Sequence, residues 1–379
     1  MSKYKYNSEN EIDPRNFKLY KNISLDIFNE NFYNNRACIF NSFKDDNIYI
    51  VYGVSSLDLE CYDLIKDIKY IIIKKIHTKS FESCRYFLDK TNSRELIITS
   101  SFDSHVKVIN FMKENSDIII DLFFPSNFGL IINTAVFINN KIIVPFSNKE
   151  NGIIELYDMN SELIGNIEDA GFILGLSTYY WKRIKKYFII VANLEGVIAY
   201  NESDLTLYKK FIPSSENYII DGFCETIIIE RNSNIILISP CFYKNFLFFW
   251  DFKNGCLINK MELDSGISDI CLWDKDHIFA SYNEFISTKF ILINTKYNRV
   301  EKEYKDNNYN SHRICGIKTI RHETKGNYII ASTMYGELNL YKIYKPKRKL
   351  FINPIYISSI FLFFLLFIYY IIKNIFKLI

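Results

Sequence analysis

Short runs of apolar, strand-forming residues recur along this chain, and most of them end in an aromatic residue or Ile followed by Asp or Asn. The seven endings are Tyr62-Asp63, Ile109-Asn110, Tyr157-Asp158, Tyr200-Asn201, Trp250-Asp251, Ile293-Asn294 and Tyr341-Lys342. The steps between them are 47, 48, 43, 50, 43 and 48 residues, a period of about 46. A fixed period of this length is typical of repeat architectures. Repeats that contain only β-type segments predict the blades of a propeller.

The second repeat shows the pattern of one blade in full. Alternating and continuous apolar runs predict strands over residues 83–88, 95–101, 106–111 and 118–124. In the third repeat, Asn151-Gly152 is a strong hairpin signal between two apolar runs. Seven repeats of this kind predict an all-β fold, a seven-bladed β-propeller over residues 17–344.

The last repeat is one strand short, which bears on how the ring closes. It ends after its third strand at Ile343-Tyr344, and the basic segment KPKRK follows at once. Residues 17–26, FKLYKNISLD, precede the first repeat and have strand composition. We predict that this N-terminal strand pairs with the third strand of blade seven and covers an edge that would otherwise be exposed.

One stretch of the second repeat resembles a known family. Residues 99–110 read TSSFDSHVKVIN, which resembles the SGSxDGTVRVWD stretch of the WD-repeat family, with Ile-Asn in place of Trp-Asp. His77 stands where that family places the His of its Gly-His signature. The resemblance implies a hydrogen-bond network within the blade that joins His77, Asp103 and a serine of the second strand, Ser100 or Ser101.

The same resemblance extends weakly to other repeats. In blade seven, His312 precedes the first strand, while Tyr335 stands at the position of the turn Asp. Trp250-Asp251 in blade five is a true Trp-Asp pair at the expected place. The resemblance therefore implies that His312, Trp250 and Asp251 take part in blade networks and that the chain is a divergent WD-repeat-like propeller.

The C-terminal region has the composition of a membrane span. Residues 355–372, IYISSIFLFFLLFIYYII, contain no charge, and as a helix they would extend about 27 Å, close to the thickness of a thin bilayer. The alternative is a buried core helix, which a ring with its own core does not need. The prediction divides the chain into a polar segment (1–16), the propeller (17–344), a basic linker (345–354), one transmembrane helix (355–372) and a short tail (373–379).

Flanking charge predicts the orientation of this span. Five basic residues fall between 342 and 349, against two after the span, so the propeller is predicted to face the cytosol. Lys345, Lys347, Arg348 and Lys349 would lie at the lipid headgroups. The first residues, MSKYKYNSENEID, contain no apolar signal-peptide core. We therefore expect a tail-anchored protein, with the endoplasmic reticulum favoured over the mitochondrial outer membrane.

Charge and cysteine content limit the possible partners. The net charge is +3, but residues 342–379 contain seven Lys or Arg and no acid, so residues 1–341 carry −4. A mildly acidic body argues against nucleic-acid binding. The eight cysteines show no CxxC spacing and are predicted to be small buried thiols of a reducing compartment.

The sequence contains no recognisable catalytic pattern. The five histidines have no metal-ligand spacing, and no GxSxG, Walker or GxGxxG motif occurs. We therefore predict no catalytic, cofactor or metal site, no small-molecule substrate and no enzymatic activity. The densest basic run of the ring, residues 181–186, could contact anionic lipid or an acidic partner, although a solvated loop is favoured.

These features together predict a cytosolic protein-interaction scaffold held at a membrane, with the lipid bilayer and other proteins as partners. An alternative function is suggested by the order of the propeller and the span along the chain. A seven-bladed cytosolic propeller followed by one C-terminal span is similar to exchange factors of the endoplasmic reticulum that load GTP onto the small GTPase of a vesicle coat. Those proteins carry a Gly-rich, potassium-binding loop in their first blade, and residues 52–57, with the single glycine Gly53, correspond to it here.

Overall fold

The repeats of the sequence fold into separate β-sheets in a computed structural model of the chain. Residues Pro14–Tyr344 form one compact unit. The residues that the structure describes are 13–24, 37–113, 115–124, 131–132, 134–147, 151–213, 222–284, 287–306, 312–333 and 337–344. Within these ranges every extended regular element is a β-strand.

The described residues form 29 strands, numbered in chain order. The first strand, β1 (Phe17–Ser24), precedes blade one. Blade one contains β2 (Cys38–Asn41), β3 (Ile48–Gly53), β4 (Leu59–Asp63) and β5 (Ile68–Ile73). Blade two contains β6 (Phe81–Asp89), β7 (Arg94–Ser101), β8 (His105–Asn110) and β9 (Asp117–Phe123). Blade three contains β10 (Ile131–Ile132), β11 (Val136–Ile138), β12 (Lys141–Ser147), β13 (Gly152–Tyr157) and β14 (Leu163–Ile167).

The remaining blades follow the same order. Blade four contains β15 (Ile173–Trp181), β16 (Lys186–Asn193), β17 (Val197–Asn201) and β18 (Leu207–Phe211). Blade five contains β19 (Ile227–Arg231), β20 (Asn234–Pro240), β21 (Phe246–Asp251) and β22 (Leu257–Glu262). Blade six contains β23 (Ile267–Leu272), β24 (His277–Tyr282), β25 (Thr288–Asn294) and β26 (Arg299–Asp306). Blade seven contains β27 (Ile314–His322), β28 (Gly326–Thr333) and β29 (Glu337–Ile343).

Strand pairing among the described residues gives seven antiparallel sheets, which confirms the predicted seven-bladed, all-β propeller. Within each blade neighbouring strands are hydrogen-bonded, and in blade three β10 and β11 both pair with β12. The first strands of successive blades contact one another, as β2 does with β6 and β23 with β27. These first strands therefore surround the axis of the ring.

The ring is closed by its N-terminal strand, as the sequence predicted. β1 pairs antiparallel with β29, from Phe17 opposite Ile343 to Ser24 opposite Glu337. The Phe17 ring is 4% exposed and lies 5.3 Å from the ring of Phe290 in blade six. Lys21 Nζ also bonds Tyr62 Oη of blade one, 2.7 Å away. One strand therefore joins blades six, seven and one.

The Asp or Asn that ends most of the repeated sequence motifs stabilises the turn that follows it. Asp63 Oδ1 accepts the backbone N–H groups of Ile65 and Lys66, each at 3.0 Å. The same kind of turn follows Asp158, Asp251 and Asn294. Because a short side-chain oxygen can capture turn N–H groups two and three residues on, this residue ends the third strand of a blade and starts the turn to the fourth.

The core lies between blades and is rich in aromatic side chains. One aromatic group packs between blades four and five and is formed by Phe188, Phe211, Phe248, Trp250 and Phe252. Seven of the eight cysteines are buried, Cys256 is exposed, and all eight thiols are free. Cys38 Sγ and Cys84 Sγ lie 3.5 Å apart between blades one and two.

Candidate functional site

In blade two, His77 is held between two polar partners. Its Nδ1 lies 3.1 Å from Asp103 Oδ2, and its Nε2 lies 2.9 Å from Thr99 Oγ1. The carboxylate also accepts the backbone N–H of Thr78 and of His105. Burial opposes ionisation of Asp103, but the hydrogen bonds from His77 and from the backbone outweigh it and lower the pKa of this carboxyl.

The hydroxyl that contacts His77 belongs to Thr99, not to Ser100 or Ser101 as the resemblance implied. Ser101 Oγ instead donates to Lys79 O at 3.0 Å and accepts the N–H of Asp103 at 3.2 Å. Ser100 bonds Ser83 on the other face of the sheet, at 2.6 Å. Ser101 therefore supports the turn that carries Asp103 but does not contact the imidazole.

In blade five, the Trp-Asp pair has two separate roles. Trp250 Nε1 donates to Ser239 Oγ at 2.7 Å in the buried core. Asp251 faces the turn, where its Oδ1 accepts the N–H of Lys253 at 2.9 Å. Blade two thus has a histidine network without a tryptophan, and blade five has the indole bond.

His312 and the basic residues complete the set of predicted positions. The backbone N–H of His312 bonds Thr288 Oγ1 at 3.1 Å, and its carbonyl accepts from the same hydroxyl at 2.9 Å. Tyr335 lies outside the described residues, as do Lys345, Lys347, Arg348 and Lys349.

The most unusual arrangement lies at the axis of the ring and was not predicted. Arg85 projects from β6 of blade two and meets Glu225, which precedes β19 of blade five. Their two parallel contacts are Nη1–Oε1 at 2.9 Å and Nη2–Oε2 at 2.5 Å. Gly175 permits the close approach of the chain at Glu225, because a Cβ there would lie 2.5 Å from the Glu225 backbone nitrogen.

Blades six and seven add a second ion pair to this one. Lys318 Nζ lies 3.0 Å from Asp269 Oδ2 and 3.7 Å from Glu225 Oε2. Asp269 is fully buried and also accepts the N–H of Ile317 at 2.9 Å. Burial opposes protonation of Lys318, but the two carboxylates outweigh it and raise the pKa of this amine. We name Arg85, Glu225, Asp269 and Lys318 the axial ion cluster.

A cavity of about 750 Å³ lies along the axis beside this cluster. Its lining includes residues 85–88, 136–140, 177–180 and 225–228 together with Lys90, Thr91, Tyr187 and Leu272. Lys90, Thr91, Asn139 and Asn140 belong to the turns between the first and second strands of blades two and three. The cavity therefore opens on the face formed by these turns, and we name it the axial funnel. Arg85 and Glu225 belong both to its lining and to the ion cluster, which places the cluster at its inner end.

The predicted membrane span, 355–372, lies outside the described residues. Among the described residues no helix has the length and apolarity that a bilayer crossing requires. No group of three or more His, Cys, Asp or Glu in the described chain is placed to hold a metal ion. The stretch that corresponds to a Gly-rich loop forms a tight turn, in which Leu57 N bonds Val54 O at 2.9 Å. This turn adds no support to the exchange-factor alternative.

Comparison with known proteins supports the fold. No model of a known protein family and no curated protein matches the chain. Among solved structures, it is similar to a chain of the mitotic checkpoint complex, with 9% identity, a TM-score of 0.65 and coverage of 91% of this chain and 97% of that chain. It is also similar to BBS1N, from a complex with ARL6DN, with 11% identity, a TM-score of 0.57 and coverage of 88% and 98%.

A third structure, Raptor of Chaetomium thermophilum, gives 7% identity and a TM-score of 0.63, covering 88% of this chain and 29% of that chain. At such low identity these likenesses show the fold alone. They agree with the β-propeller that the period of the sequence predicted. The chain is therefore a seven-bladed β-propeller. Two of the structures to which it is similar in fold are structures of protein complexes.

Proposed function

We propose that this chain is a non-enzymatic protein-interaction scaffold that is tethered to a membrane and faces the cytosol. The observation that carries the binding role is the axial funnel, a preformed cavity of about 750 Å³ that opens on one face of a closed ring. Preformed concave sites lined by apolar side chains with a few polar groups are typical of binding sites. The ring supplies the rigidity that such a site needs, because one strand joins its two ends.

The membrane part of the proposal rests on the sequence. Eighteen uncharged residues at 355–372 follow a basic segment, which is the pattern of a span with a cytosolic flank. The endoplasmic reticulum is the favoured membrane. Fusion of a fluorescent tag to the amino terminus should show the full chain on a membrane network and a variant lacking residues 350–379 diffusely in the cytosol. A diffuse full chain would contradict the tether.

The scaffold role is tested by proximity labelling from the same tagged chain. A defined set of neighbouring proteins, reproduced between replicates and absent when an unrelated tail-anchored reporter carries the label, supports the proposal. If the chain labels only the proteins that the reporter labels, the scaffold role is wrong.

A further inference from the structure

We propose that the axial funnel binds an extended, acidic peptide segment of a partner protein that inserts an aromatic side chain. The inference rests on the proposed scaffold function and names the site and the chemistry of the partner. Three observations on the described residues lead to it: the strand edges that line the funnel, its apolar wall and the basic charge at its mouth.

The first observation is that consecutive residues of edge strands line the funnel. Residues 85–88 belong to β6 and residues 177–180 to β15, and each of these strands is the end strand of its sheet. An end strand presents backbone N–H and C=O groups along its free edge. An extended peptide can pair with such groups, whereas a compact small molecule satisfies few of them.

The second observation is that the funnel wall offers aromatic and aliphatic surface. Tyr180 is 38% exposed and Leu272 is 42% exposed, although both lie in strands next to the axis. The ring of Tyr180 packs against that of Tyr187, with centroids 4.4 Å apart. Aromatic side chains pair favourably with such rings and bury a large area for few rotatable bonds. The wall therefore fits an aromatic anchor.

The third observation is the charge around the mouth. The turn after Tyr180 and Trp181 carries Lys182, Arg183 and Lys185, all exposed. Lys90 is exposed on the blade-two side of the same opening. Glu230, on the blade-five side, accepts the hydroxyl of Tyr179 at 2.8 Å. The blade-six turn that follows Leu272 adds two acids, Asp274 and Asp276, but the basic residues still outnumber the acidic ones around the mouth. This excess of positive charge favours and steers an acidic segment.

The axial ion cluster sets how far the segment enters. Arg85 and Glu225 meet across the axis through two contacts, so the chain of a ligand stops at this level. A cavity of about 750 Å³ is within the range of sites for drug-sized ligands. It accommodates the side chains of a few residues, and the flanking acidic residues remain at the mouth.

The test uses the full-length protein in detergent micelles and fluorescent synthetic hexapeptides. One pool carries Phe, Tyr or Trp between Asp and Glu residues, and the matched pool carries Lys in place of each acid. We expect the acidic pool to bind and the basic pool to bind at least about tenfold more weakly. Thr178→Trp, which fills the funnel from an exposed lining position, should abolish binding of the acidic pool.

A second variant reverses two charges at the mouth and leaves the funnel unfilled. Lys182→Glu with Arg183→Glu in the exposed turn should weaken binding of the acidic pool about tenfold, because rim charges contribute modestly. The matched control, Lys209→Glu with Lys210→Glu, places the same change on β18, the outer strand of the same blade. It should leave binding unchanged, and unfolding curves of all variants should match that of the parent.

Two outcomes would overturn the funnel proposal. One is binding of the acidic pool that survives both Thr178→Trp and the Lys182→Glu, Arg183→Glu reversal. The other is failure of the acidic pool to bind the parent protein. In either case a reproducible set of neighbours in proximity labelling would leave the scaffold function standing, so the two failures can be distinguished.

Discussion

The guanidinium of Arg85 in blade two meets the carboxylate of Glu225 in blade five across the axis of the ring. The two residues are 140 positions apart in the chain, and their side chains are 21% and 10% exposed. With Asp269 and Lys318 they connect four of the seven blades at the axis. Removal of one charge from a partly buried pair leaves its partner without compensation, which costs more than the intact pair gains.

The first prediction concerns Glu225. Glu225→Gln should lower the free energy of unfolding by about 3 kcal/mol, because Arg85 and Lys318 would then face each other with one carboxylate fewer. Urea unfolding followed by tryptophan fluorescence measures the loss. Glu323→Gln, at an exposed turn of blade seven, is the matched control and should change stability by less than about 0.5 kcal/mol. Equal effects of the two substitutions would mean that the axial pair does not stabilise the ring.

The second prediction concerns the closing strand. Phe17→Ala should lower the free energy of unfolding by about 3 kcal/mol, since it leaves a cavity beside Phe290 and Tyr341. Leu19→Ala, two residues along the same strand and at a side chain that is 44% exposed, should cost much less. Thermal and urea unfolding compare the two. If Leu19→Ala is as costly as Phe17→Ala, the aromatic contact with blade six is not what holds β1 in place.

The third prediction concerns the indole bond of blade five. Ser239→Ala should cost about 1–3 kcal/mol, because it leaves the buried Nε1–H of Trp250 unpaired. Trp250→Phe in the Ser239→Ala background should then cost less than Trp250→Phe alone, since neither polar group remains. Unfolding free energies of the four proteins form a double-mutant cycle. Strict additivity across this cycle would show that the hydrogen bond contributes nothing.

The fourth prediction concerns pH. The hydrogen bond from His277 to Asp274, 3.0 Å long, raises the pKa of His277, with the charges of Glu301 and Asp276 adding to it. The folded state therefore binds this proton more tightly than the unfolded state. The resulting stability is fully present below the ordinary histidine pKa of about 6.5, and it is lost as pH rises through the higher folded-state value.

The measurement is the difference in unfolding free energy between the parent and His277→Gln as a function of pH. This difference should be larger at mildly acidic pH than at mildly alkaline pH. A difference that stays constant across that range would rule out a protonated His277 as a source of stability.

The sequence determines much of the ring but not the contacts at its axis. The period predicted seven blades, and the missing outer strand predicted the pairing of β1 with β29, because both are properties of local pattern. The partner of His77 was harder to assign. Thr99 and Ser101 lie on the same face of β7, about 6.7 Å apart along the strand, and the position of the imidazole decides between them.

The axial ion cluster had no signal in the sequence. Arg85 and Glu225 belong to different repeats, and neither lies in a recognisable motif. Each resembles an ordinary charged residue in or beside a strand until the blades are placed around a common axis. The funnel is likewise formed by five blades at once, so no single repeat could indicate it.

The pairing of β1 with β29 has a consequence for how the protein is made. As the ribosome emits the polypeptide from its amino terminus, residues 17–24 emerge first, and their hydrogen-bonding partner emerges about 320 residues later. The ring can therefore close only after the last blade has been synthesised, and until then β1 lacks the strand that covers its edge.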